Sequence, residues 1–136
     1  NWVLCPAYKI ASFELTDLAL IRKAASTGKP LIISTGMANT TDVRKARDAA
    51  VYEADNANIA FLHCISSYPC APADMNLRAL ARLKEDLGIA SIPIGLSGHT
   101  LGTTAAIVAT ALGASIIEKH ITLSRSDGGP DAAFSL

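Results

Sequence analysis

The sequence predicts an α/β fold with a parallel sheet, namely a partial (β/α)8 TIM barrel made of about the last five strands. Three observations predict it. Five short apolar runs recur along the chain, and the stretches between them carry helical periodicity. Helix-length connections are what parallel neighbours need, because a tight turn joins only antiparallel ones. Half of the 136 residues are hydrophobic, with abundant Ala, Ile, Leu and Val, which suits strands covered on both faces.

The elements follow in order. Ala7 to Ser12 is a short strand, and Leu15 to Ala25 repeats apolar residues at helical spacing, with Thr16 and Asp17 as caps and Gly28 just past the end. Pro30 to Thr35 is a second strand. A helix from Thr41 to Glu53 follows, opened by the Thr40–Thr41–Asp42 cap signal. Ile59 to Ile65 is a third strand; the SSYPCAPADMNL segment after it is a long loop, since Pro69 and Pro72 exclude regular structure. Asn76 leads a helix through Asp86, closed by Gly88. Ile92 to Ser97 and Ser115 to His120 are the last two strands, with the Gly102 to Leu112 helix between them.

A doubly wound sheet also fits this alternation, but neither GxGxxG nor GxxxxGK[ST] occurs. Every strand ends in polar groups, and barrels collect their sites at that mouth from many strands. A whole barrel needs about 250 residues. The expectation is therefore that residues 1–136 are the later part of a barrel domain within a longer chain, consistent with a start at Asn1 in place of methionine.

Composition narrows the partners. Twelve Lys and Arg balance twelve Asp and Glu with no basic run, which argues against nucleic acid and anionic membranes. The uncharged stretch from Thr100 to Ile117 is interrupted by glycines and threonines and falls short of a span of roughly 20 residues. Cys5, Cys64 and Cys70 form no CxxC pair and leave one over in any pairing, so a reducing cytoplasm is the expected home. Cys64 reads as strand packing, with a reactive thiol as the sharper alternative.

Chemistry concentrates between Ser97 and Asp131. Side chains alternate along a strand, so Glu118 points with His120, and Ser97 points with His99. Strands about 4.8 Å apart bring two such imidazoles within reach of one cation, with a carboxylate beside them. Structural histidines remain the plain alternative. Lys9, inside the apolar AYKIAS run, either snorkels to water or holds an anion. Ser34 and Ser97 are individually ordinary strand-end hydroxyls, yet with Lys9 they form a plausible cradle for phosphate or carboxylate. Tyr68 either packs its ring or presents its hydroxyl. Asp131 follows the SRSDGGP loop, either solvated or bonded to a substrate.

The motifs KIASFE, STGMA, SSYP, HTLG, IEKH and GGPDAAFSL, in this order from Tyr8 to Leu136, resemble the sialic acid synthase family. The SRSDGGPDAAFSL ending, with Ala132 where neuraminate enzymes carry histidine, is most similar to the pseudaminic acid synthase branch. The resemblance implies a barrel whose first three βα units, together with a C-terminal antifreeze-like domain, lie outside this segment. It implies condensation of phosphoenolpyruvate with 2,4-diacetamido-2,4,6-trideoxy-L-altrose and water to give pseudaminate and phosphate. It also implies metal ligation by His99 and His120, with Mn2+ preferred and Mg2+ tolerated, and acid/base catalysis by Glu118. Phosphoenolpyruvate contacts fall on Lys9, Ser34, Ser66 and Ser97, and amino-sugar contacts on Tyr68 and Asp131. The full-length protein is expected to be a homodimer, and the isolated segment to be inactive. N-acetylneuraminate or legionaminate synthase, and an inactive remnant of the family, are the competing readings. One departure stands out: the family's SDHT reads Ser97–Gly98–His99–Thr100 here. Position 98 points away from His99 if the strand is regular, so restoring aspartate should tighten metal binding indirectly.

Overall fold

A computed structural model of the chain describes residues 5–53, 58–88 and 90–136. Among them five strands form one parallel sheet: β1 (Tyr8–Ile10), β2 (Leu31–Ser34), β3 (Ile59–Cys64), β4 (Ile94–Gly98) and β5 (Ile116–Lys119). They lie side by side in sequence order, each parallel to the next. A doubly wound sheet reverses its order at a switch point and this one does not, which settles the alternative in favour of a half-barrel. Helices α1 (Leu18–Ala25), α2 (Thr40–Glu53), α3 (Ala79–Leu87) and α4 (Thr104–Ala111) make the crossovers.

Strand register separates two faces. Ile10, Leu31, Ile33, Ile59, Phe61, Ile94 and Leu96 alternate onto the outer face, where they form one buried core with Ile21, Val43, Ala46, Leu80 and Leu83 from the helices. The opposite face carries Lys9, Ser34, Leu62, Cys64, Ser97 and Glu118, as the pairs Ser34–Leu62, Cys64–Ser97 and Ser97–Glu118 require. Apolar groups therefore bind the helices, and the other face is left for a lumen with a polar rim.

Helix ends differ from the sequence expectation where local hydrogen bonding decides. Asp17 does cap α1, accepting from the Leu20 N–H at 3.0 Å. Leu15 lies outside that helix, because Ser12–Glu14 first makes a 3-10 turn in which Glu14 accepts from the Ala11 N–H. Helix α2 is opened by Asn39, whose Oδ1 accepts from the Asp42 N–H at 3.0 Å while Asp42 accepts from the Asn39 N–H. Asn76 does not lead α3. With φ 43° it ends a 3-10 turn at Pro72–Met75 inside the expected loop, and α3 begins at Ala79. Gly88, at φ 65°, closes α3 as expected.

Candidate functional site

The strand ends gather polar side chains because register puts Cys64, Ser97 and Glu118 abreast on the lumen face. The Ser97 hydroxyl donates to Glu118 Oε1 at 2.7 Å. Lys9 reaches in from β1, donating to Ser34 Oγ at 2.9 Å and lying 3.3 Å from the same Glu118 oxygen. Four spacings of about 4.8 Å would hold the outer strands of a flat sheet roughly 19 Å apart. A direct contact between β1 and β5 is therefore a mark of strong curling. Both partners are more than one-third exposed, so the pair contributes only about 0–1 kcal/mol, and its worth is positional.

The two histidines approach each other at the same rim. Their ring centroids are 5.3 Å apart at an interplanar angle of 66°. His99 is 4% exposed, and its Nδ1 lies 2.9 Å from the Ile65 carbonyl, which only accepts; that nitrogen therefore carries the proton and Nε2 is left with its lone pair. His120 has Nδ1 3.3 Å from Asp131 Oδ2, an ion-pair distance without hydrogen-bond geometry. Tyr68 stacks at a tilt on His99 with centroids 4.1 Å apart, and Phe134 packs edge-on against His120 at 5.1 Å. The backbone around His99 is also held, since its carbonyl accepts from the Cys70 N–H and Lys119 donates to the Thr100 carbonyl at 2.6 Å.

The electrostatics of this corner follow from its contacts. Burial pushes His99 down, but the Cys64 sulfur 4.0 Å from Nδ1 and the Ile65 carbonyl outweigh it, so the imidazole lies above its ordinary value. Burial likewise pushes the Cys64 thiol up, while His99 and the Ser12 hydroxyl at 3.5 Å more than offset it, and the thiol lies below its ordinary value. Tyr68 is raised by burial and by the negative neighbours Cys64, Asp131 and Glu118, so its hydroxyl keeps its proton. Burial lowers Lys119.

Among the described residues no group of three or more His, Cys, Asp or Glu side chains is placed to hold a metal ion. The donor set is the imidazole pair, with His99 Nδ1 held by the Ile65 carbonyl and His120 Nδ1 facing the Asp131 carboxylate. Metal-bound histidines are oriented in this way, so the residues fit a divalent cation that keeps positions open for water or substrate. Ser66 Oγ is buried without a hydrogen-bond partner, and a Cβ added at Gly36 would stand 2.6 Å from it and 3.0 Å from the Cys64 carbonyl, so glycine is what permits this close approach.

The structure brings Lys9, Ser34, Ser97 and Glu118 into one bonded group and sets His99, His120, Tyr68 and Asp131 around a second. Ser66 lies on the loop between them. Sequence reasoning gave no site role to Ser12, 7% exposed, whose Oγ accepts from the Gly36 N–H at 3.0 Å and touches Cys64. Its place at the end of the AYKIAS run was the available signal. Phe134 and Lys119 were also passed over, because their contacts depend on how the loops fold back. His63 faces the outer side and bonds the Met75 carbonyl, a structural role. Gly98 also lies on the outer face, paired in register with Lys119.

A curled parallel sheet with its polar groups at the carboxyl ends of the strands defines the catalytic-barrel class of architecture. Residues 2–136 match the NeuB family, and the chain belongs to it. Pseudaminic acid synthase of Helicobacter pylori is 47% identical over 132 residues, covering 97% of this chain and 38% of that protein. N,N'-diacetyllegionaminic acid synthase of Campylobacter jejuni is 39% identical over 130 residues, covering 95% of this chain and 38% of that protein. The crystal structure of the N-acetylneuraminic acid synthetase of Leptospira borgpetersenii, in complex with citrate, superposes with a TM-score of 0.90 at 34% identity, covering 98% of this chain and 45% of that one. The chain thus spans less than two-fifths of the length of these two curated relatives.

Proposed function

We propose that this chain carries the catalytic mouth of a pseudaminic acid synthase, which joins phosphoenolpyruvate to 2,4-diacetamido-2,4,6-trideoxy-L-altrose with release of phosphate. The observation that carries the reading is that Lys9, Ser34 and Ser97 gather around Glu118 while His99 and His120 approach each other at the same rim. The 47% identity to a pseudaminic acid synthase, against 39% to a legionaminic acid synthase, supports the choice of sugar.

Lys9 and the hydroxyls of Ser34, Ser66 and Ser97 hold the phosphate and carboxylate of phosphoenolpyruvate, which removes much of the entropic cost of bringing two substrates together. His99 and His120 would hold the divalent cation, manganese above magnesium. When bound, it supplies Lewis-acid polarisation of the open-chain sugar's aldehyde. The enol carbon forms the new carbon–carbon bond, and water adds at the pyruvyl carbon. Glu118 takes one proton from that water and passes it to the former aldehyde oxygen, and phosphate leaves with cleavage of its bond to carbon, carrying away the proton of the new hydroxyl as the ketone forms. Tyr68 and Asp131 meet the amino sugar at the rim.

The test is phosphate release by the full-length protein with Mn2+, phosphoenolpyruvate and each candidate sugar in turn. Release with the altrose derivative, lost on chelation and restored by Mn2+, is the expected result, and Glu118→Gln should lower the rate about 10²–10⁴-fold. Release with N-acetylmannosamine alone would move the protein to the neuraminate branch. Failure with every sugar would make it an inactive relative.

A further inference from the structure

We propose that Arg125 is a positioning residue that fixes the His120 ring through the strap formed by residues 120–136. The inference rests on His120 being a metal ligand. His120 stands just beyond the end of β5, where sheet hydrogen bonds no longer hold the chain. The strap supplies the hold. It leaves β5, turns back at Gly128 and Gly129, both with positive φ (76° and 109°), and returns so that the Leu136 N–H donates to the His120 carbonyl and the Thr122 N–H to the Leu136 carbonyl, each at 3.0 Å.

Arg125 closes this loop. Its Nε and Nη2 both donate to the Ser135 carbonyl, at 2.9 and 2.8 Å. Ser135 in turn donates twice to the Asp131 carbonyl, from its hydroxyl at 2.8 Å and its N–H at 3.2 Å. Asp131 faces His120 Nδ1, and Phe134, one residue before Ser135 and 1% exposed, packs on the same ring. The guanidinium fork therefore sets the short 3-10 segment Ala132–Phe134, and that segment delivers both the carboxylate and the aromatic edge that aim the imidazole. Asp131 gains a role in orientation besides any contact with sugar.

The experiment uses the full-length protein. The Mn2+ dissociation constant is measured from the electron paramagnetic resonance of free ion for wild type, His120→Ala, Arg125→Met and Arg125→Lys, with the melting temperature of each metal-free protein alongside. Loss of the orienting partner of a metal-bound histidine costs about 10–100-fold in affinity. Arg125→Met is expected at the lower end, near tenfold, with melting little changed, and Arg125→Lys in between, because lysine keeps one donor for the Ser135 carbonyl. Wild-type affinity in Arg125→Met, with binding lost in His120→Ala, would overturn the inference and leave the histidine pair intact. Equal binding by wild type and His120→Ala would instead sink the metal reading. The ¹⁵N ring shifts of His120 in metal-free protein then decide the positioning claim alone: a single Nδ1–H tautomer in wild type and a mixture in Arg125→Met supports it, and the same tautomer in both refutes it. Should Arg125→Met fail to fold, the same comparisons are read on Arg125→Lys.

Discussion

Strand β4 carries two glycines three residues apart that face opposite sides, and alanine at each should act in opposite directions. At Gly95, on the lumen face, an added Cβ would press into the Ile116 carbonyl on β5 and stand 2.6 Å from Leu62 Cδ2. Neither neighbour is free to leave, since Leu62 is fully buried and Ile116 is in the adjoining strand. Overpacking of this kind costs about 1–3 kcal/mol. A domain larger than this segment loses about 2–4 °C of melting temperature per kcal/mol, so Gly95→Ala should lower melting by roughly 3–10 °C. It should also separate Ser97 from Glu118, because the intruding methyl pries β4 from β5 below that bond. At Gly98 the added Cβ meets only ordinary contacts, Leu96 at 3.5 Å and the Glu118 carbonyl at 3.8 Å, and its φ is not in the left-handed region. Gly98→Ala should therefore stabilise by about 0.4–1 kcal/mol through the unfolded chain, a rise of a few degrees. Thermal unfolding of the two full-length variants by circular dichroism is the assay. Equal shifts of the same sign would refute the assignment of faces.

Gly98→Asp puts a carboxylate beside Lys119, and a cross-strand pair of about 0.2–1 kcal/mol under both histidines should tighten Mn2+ binding, by up to about fivefold; unchanged titration curves would count against it. Gly36→Ala puts a methyl 2.6 Å from Ser66 Oγ and 3.0 Å from the Cys64 carbonyl, so it should displace Ser66 and raise KM for phosphoenolpyruvate well before it affects the amino sugar, as steady-state kinetics will show. In metal-free protein, His99 is raised above its ordinary 6.5, so its protonated form stabilises the fold. That contribution is complete below pH 6.5 and lost as pH rises through the folded value. Cys64→Ala should lower the His99 titration midpoint seen by NMR and flatten the pH dependence of melting in that window; an unmoved midpoint would show that the sulfur contact plays no part.

Much of this was legible in the residues because parallel strands write their faces into alternation. IAFLHC and IPIGLS announced β3 and β4, and the polar strand ends predicted which rim carries the chemistry. The pairing of Ser97 with Glu118 followed from counting along two strands. What stayed hidden depends on distance in three dimensions. Nothing in KIASFE told that Lys9 would reach β5, since that needs the radius of the curl. Asn76 looked like a helix start because its residue type favours caps and left-handed positions alike. Arg125 sat among polar loop residues whose value arises only when the strap folds back, and Ser12 became visible only once Gly36 approached it.

Lys9 and Glu118 come from nearly opposite ends of the sequence, yet they touch. Such a contact repays loop-closure entropy only after the three intervening strands are in place, so it forms late on the folding route and contributes little to nucleation. That contact is accordingly expected late in assembly and early in loss, and substitutions at Lys9 or Glu118 should speed unfolding more than they slow folding.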